Sequence, residues 1–99
     1  MNDEDITLHD DMRAAGEARQ VLENSAFMKA FDELEKDYIG ALLQAGAKDD
    51  EHRYRWTVAV NVLRGVRAHL TAVINDGEFA KSRLEEIGRV KPLKKRKII

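Results

Sequence analysis

The 99 residues include no cysteine, a single proline and only 6% aromatics. Each scarcity excludes something. Without a thiol there is no disulfide framework, no thiolate metal site and no cysteine nucleophile, and nothing points to an oxidising compartment. Pro92 is the only proline, so no ring interrupts a helix before it. Long apolar runs are also missing: the longest are broken by Arg or Asn and fall well short of the roughly 18 residues a bilayer-spanning helix requires. The start, Met1-Asn2-Asp3-Glu4-Asp5, is acidic, whereas a signal peptide is basic and then apolar. No membrane contact is therefore expected.

What remains is a small charged chain, 43% hydrophobic and 35% charged, with a net charge of −1. A chain of this length buries only about 60 to 65% of its unfolded surface, and self-association is one way to complete so small a core. The near-neutrality conceals opposite halves. Residues 1–51 carry fourteen acids against five bases, a net of −9, and residues 52–99 carry twelve bases against four acids, a net of +8. Two causes can produce such a split: helices of one hairpin that attract each other, or a basic end that meets an anionic partner.

Ala, Leu, Glu, Lys and Arg dominate, which favours helix, and periodicity locates the helices. Phe27, Phe31, Leu34, Tyr38, Ala41 and Ala45 advance by alternating steps of four and three, the repeat of one helical face. Asn24 and Ser25 stand before them as candidate N-caps, so a helix is expected over 25–45. Leu8, Met12, Ala15 and Leu22 mark a shorter helix over 7–22, with Thr7 as its cap. Gly46 stands where a C-terminal glycine belongs, and Asp49 and Asp50 offer a cap for a third helix. The stripe Ala59, Leu63, Val66, Leu70, Val73, Gly77, Ala80, Leu84 and Ile87 never slips phase. One helix over 50–88 is expected, running through Asn75-Asp76-Gly77, with a break at Gly77 as the alternative.

The expected fold is all-α: a single domain over 1–88, made of an antiparallel helical hairpin with one long C-terminal helix and a shorter N-terminal helix, followed by a flexible basic tail over 89–99. The third helix outreaches the second. Unless the first helix covers its distal half, Val73, Phe79, Leu84 and Ile87 require another chain, and a homo-oligomer is expected.

No residue set announces a reaction. His9, His52 and His69 do not share a helical face with a second ligand, and no metal site is expected. Asp32, Glu33, Glu35 and Asp37 read as a solvated face, Glu35 at its margin. The six glycines are scattered and form no phosphate-binding loop, Ser25 and Ser82 lack a nucleophile context, and no cofactor or catalytic residue is expected.

Bases and aromatics interleave only at Arg53-Tyr54-Arg55-Trp56, where Arg53 and Arg55 could contact phosphates beside a stacking ring. The competing reading puts Trp56 on the core stripe with Tyr54 at its rim, and turns Arg53, Arg64 and Arg67 toward Glu33 and Asp37 of the second helix. Arg89, Lys91, Lys94, Lys95, Arg96 and Lys97 form a run without an acid. This run is the stronger candidate for double-stranded DNA, through counterion release rather than base reading.

The segments Ala18 to Phe27, Ala30-Phe31-Asp32, Leu34-Glu35, Tyr38-Ile39, Val62 to Leu70 and Gly77 to Ala80 resemble small helical proteins of tailed bacteriophages and prophages, encoded among head and DNA-packaging genes. The resemblance spans about residues 15–88 and contains no catalytic motif. It implies a viral assembly role in a bacterial cytoplasm, similar to that of the terminase small subunit, which oligomerises and engages DNA. Many such subunits carry an N-terminal helix-turn-helix, for which residues 1–24 are too short and too acidic. The expected function is thus a non-enzymatic, oligomeric DNA-packaging protein. The alternative is a helical module that binds a phage or host protein as scaffold, adaptor or inhibitor, through its apolar stripe or its acidic half.

Overall fold

A computed structural model of the chain describes the backbone of residues 2–98 and the side chains of residues 2–89. The fold is all-α, with helices α1 (Asp3–Glu23), α2 (Ser25–Gln44) and α3 (Asp50–Ile98) and no strand among the described residues. The chain divides into two compact units, one of Met1–Arg19 with Thr71–Ile99 and the other of Gln20–Leu70. α3 contributes to both.

In the unit of Gln20–Leu70, α2 and the first part of α3 form an antiparallel hairpin. Glu35 meets Arg64, Asp32 meets Arg67, and the Tyr38 ring lies 5.4 Å from the Trp56 ring. The N-terminus of α2 is capped as the sequence suggests: the Asn24 side chain accepts the Phe27 amide at 2.9 Å from an extended backbone, relieving one of the free amides of the first turn. Its C-terminus differs from expectation. Ala45 ends the helix in an extended conformation, its amide donating back to Ala41 and Leu42, and no glycine has positive φ. Gly46 is therefore an ordinary loop residue, followed by Asp49, whose side chain accepts the His52 amide and caps α3.

In the other unit, α1 lies along the later part of α3. It begins at Asp3 rather than near Thr7, because the Asn2 side chain accepts the Asp5 amide at 2.8 Å and the acids Asp3, Glu4 and Asp5 stabilise the positive end of the helix dipole. Thr7 is no cap; its hydroxyl donates to the Asp3 carbonyl one turn back. Among the described residues, those buried here are Leu8, Ala15 and Ala18 of α1 with Gly77 and Ala80 of α3. Gly77 is the close-contact point. A Cβ there would collide with the Ala15 Cβ and stand 3.1 Å from the Asp11 carbonyl oxygen. The glycine thus serves helix approach within a continuous helix, and the turn that Asn75-Asp76-Gly77 could form is not adopted.

The distal stripe of α3 is consequently not bare. Val73, Leu84 and Ile87 are half-buried and Ala80 is fully buried in the unit that α1 completes, while Phe79 stays 70% exposed. The helical backbone of α3 extends to Ile98, into the segment the sequence marks as a tail, whose side chains from residue 90 onward lie outside the described residues.

Candidate interaction surface of the hairpin

Part of the charge asymmetry resolves into ion pairs within each unit. Arg64 donates to Glu35 at 2.8 Å, and Arg67 donates to Asp32 at 2.6 Å while its guanidinium stands 5.2 Å from the Phe31 ring centre. The acids are thus Asp32 and Glu35, not Glu33 and Asp37, because 32 and 35 flank the Phe31–Tyr38 stripe on the side that meets α3. In the other unit Arg83 donates to Glu4 at 2.9 Å and to Glu86 at 3.2 Å, and Arg19 pairs with Glu78. The bond to the Glu4 carboxylate, then that to Glu86, holds the Arg83 guanidinium above its ordinary range.

The arginines nominated for phosphate contact have partners. Arg53 donates to the Ala47 carbonyl at 2.6 Å and pairs with Asp50, anchoring the loop between α2 and α3 instead of reaching across to α2. Arg55 pairs with Glu51 one turn back at 2.6 Å. Trp56 is half-buried against Tyr38, as its place on the core stripe implies, whereas Tyr54 is 71% exposed rather than at the core rim. Of the basic segment, Arg89 is exposed, and Lys91, Lys94, Lys95, Arg96 and Lys97 lie outside the residues whose side chains are described.

At the loop end of the hairpin the His52 ring stands 2.7 Å from an Asp49 carboxylate oxygen. That hydrogen bond holds the Asp49 carboxyl below the usual carboxylate range. Beside it is a groove of about 400 Å³ lined by His52, Arg55, Trp56 and Ala59. Among the described residues no group of His, Asp and Glu side chains could hold a metal ion, and no helix is long and apolar enough to cross a membrane.

The feature that sequence reasoning missed is apolar. In the unit of Gln20–Leu70 Val60 is the only buried residue, while Phe27, Leu34, Leu43, Tyr54, Val58, Val62 and Val66 are exposed. Val66, assigned to the core stripe from its spacing, is 42% exposed, and Arg67 takes the half-buried position beside it. At 100° per residue, Phe27, Ala30 and Leu34 of α2 and Val62 and Val66 of α3 project to one flank of the antiparallel hairpin. Lys29, Lys36 and the pairs Arg64–Glu35 and Arg67–Asp32 occupy the opposite flank. The signal was legible in Val62, which stands one turn before Val66 and off the stripe of Ala59, Leu63 and Leu70.

Comparison with family models, with curated proteins and with solved structures finds no match.

Proposed function

We propose that the protein is a non-catalytic helical assembly module, whose α2–α3 hairpin is completed by another polypeptide chain. The supporting observation is the single buried residue of the Gln20–Leu70 unit, set against its flank of exposed Phe27, Leu34, Val62 and Val66. With Val60 alone fully buried and the rest of their apolar contact half-buried, the two helices gain little apolar burial to set against the ordering of some fifty residues at about 1–2 kcal/mol each for backbone alone. Another chain laid on the open flank supplies what is missing. This agrees with the assembly role that the phage resemblance implies, in the cytoplasm of a bacterial host.

Amide hydrogen exchange on the full chain at about 1 µM tests the reading. α2 amides of the free monomer are expected to exchange with little protection. Full protection of α2 in a monomer, equal to that of the most stable amides, would refute it.

Contact with double-stranded DNA during packaging is the second reading, favoured by the six Lys and Arg between Arg89 and Lys97, a stretch without an acid. Binding through that segment has no sequence preference, and log K falls with log salt at a slope near −5 for six phosphate contacts. A gel shift with duplex DNA at low salt, repeated on the chain lacking residues 89–99, checks it. Retention of unchanged binding by the truncated chain would remove this segment as the contact.

A further inference from the structure

We propose that the acidic first turn of α1 stands in for nucleic-acid phosphate on the basic end of α3, so that duplex binding is held back until Asp3, Glu4 and Asp5 give way. The inference rests on the DNA reading above and adds its regulation, an intramolecular competitor for the same cations.

The two segments lie in one compact unit, Met1–Arg19 with Thr71–Ile99, and their charges are opposite. Residues 1–19 carry six acids against two bases, and residues 81–97 carry eight bases against two acids. The Glu4 carboxylate accepts from the Arg83 guanidinium at 2.9 Å, which brings the acidic turn onto α3 where the basic stretch begins. A carboxylate on an arginine reproduces the bond that a DNA phosphate would make. Arg89, six residues further in the sequence, lies about 9 Å along the helix axis from Arg83. That separation is comparable with the roughly 10 Å Debye length at 0.1 M salt, so the carboxylates weaken the attraction of Arg89 for phosphate as well.

Asp5 separates a mask from a helix cap. It falls three residues before Leu8 on the face of α1 that also carries the buried Ala15, and it is half-buried there. Its Oδ1 is buried without a hydrogen-bond partner among the described residues. Stabilising the helix dipole needs no such placement, since the exposed Asp3 and Glu4 already serve that end. A carboxylate oxygen left without a donor works against the docking of its own helix. The position of this charge is explained by what it repels, phosphate approaching the seam of α1 and α3.

The sequence of α3 carries the complementary sign. Ala80, Leu84 and Ile87 advance by four and three, and the same phase continued in sequence falls on Lys91 and Lys94. An acid opens the stripe of α1, and bases follow the stripe of α3. The acidic turn is also lightly held. The close contact of Ala15 with Gly77 lies ten residues from Asp5, about 15 Å along α1. Residues 3–5 can therefore lift while the two helices stay joined at Gly77.

Fluorescence anisotropy of a labelled duplex, titrated with the full chain at about 50 mM salt, reads the affinity. Asp5→Asn and Glu4→Gln are each expected to tighten binding about 3-fold, and Glu4→Gln to steepen the fall of log K with log salt by about 1, as Arg83 becomes free to meet a phosphate. Asp5→Asn should leave the urea-unfolding midpoint unchanged or higher, whereas loss of a structural carboxylate would lower it. Saturating duplex should speed amide exchange at Ile6, Thr7 and Leu8 as the turn lifts. Glu33→Gln removes an exposed acid from the other unit and should change affinity little. Equal gains from Glu33→Gln and the two α1 variants would reduce the effect to net charge and overturn the competitor. Duplex binding that requires residues 89–99 but is unmoved by Asp5→Asn and Glu4→Gln would leave the DNA reading standing and remove the competitor. No binding by any of these chains at low salt would remove both.

Discussion

Gly77→Ala isolates the contact that docks α1 on α3. Two effects oppose each other. Alanine in a helix interior is favoured over glycine by about 0.5–1 kcal/mol. Against this, the new methyl group would overlap the Ala15 Cβ and stand 3.1 Å from the Asp11 carbonyl oxygen. Neither neighbour can swing aside, since one is rooted on the α1 backbone and the other belongs to it, so α1 must shift outward. Overpacking of this kind costs about 1–3 kcal/mol, and a collision with backbone-rooted atoms falls toward the upper part of that range. The net expectation is a loss of about 1–2 kcal/mol, the packing term outweighing the propensity term. Gly88→Ala supplies the control, because Gly88 lies on the same helix with nothing within 4 Å of its added Cβ. It should stabilise by up to about 1 kcal/mol. Adding Ala15→Gly to Gly77→Ala returns the methyl group to the pair from the other side and should recover most of the loss, a coupling of about 1–2 kcal/mol. Urea unfolding followed by far-UV circular dichroism, at one fixed protein concentration, reads all four chains. A Gly77→Ala chain stabilised as much as Gly88→Ala would refute the packing argument.

Asn24→Ala removes the acceptor of the Phe27 amide and should cost about 0.5–2 kcal/mol, whereas Asn24→Asp should retain most of the cap; urea unfolding followed by circular dichroism checks both. The Asp49 carboxyl, lowered chiefly by its hydrogen bond from His52, should titrate by NMR below the usual carboxylate range and return toward it in His52→Ala. Because its folded-state value is depressed, its contribution to stability is present above the unfolded carboxylate value and lost as pH falls through the lowered one, so the pH dependence is confined to the acid limb. Asp32→Asn should cost only a few tenths of a kcal/mol, an effect that vanishes at high salt, since the pair is exposed. Arg67→Ala should cost more and retain part of that loss at high salt, because its guanidinium also covers Phe31; a double-mutant cycle at two ionic strengths separates the contributions.

The helices themselves were local information. Period, caps and the unbroken heptad phase from Ala59 to Ile87 are properties of neighbouring residues, and they place α2, α3 and the continuity through Gly77 without reference to any distant part of the chain. Where local reading went astray, a local signal had two meanings. Thr7 read as a helix cap, yet the acids at residues 3–5 stabilise a start one turn earlier, and Gly46 read as a helix stop although Ala45 alone ends α2. Which acid meets which arginine was less legible, because Glu33 and Asp37 differ from Asp32 and Glu35 only by rotation about the helix axis, and that rotation is set by how Phe31, Tyr38 and Trp56 pack.

Tertiary structure alone decided how the long stripe of α3 is shared out. The stripe is one continuous pattern in the sequence, yet residues 71–98 fall in the unit with α1 and residues 50–70 in the unit with α2. In the first, small residues at Ala15, Gly77 and Ala80 let the helices approach closely. In the second, the Tyr38 and Trp56 rings meet at the contact and Phe27, Leu34, Val62 and Val66 stay exposed. Periodicity states how many apolar side chains lie on a helix; only the packing of a second helix, through the volumes in contact and the angle they impose, determines which of them remain open to another chain.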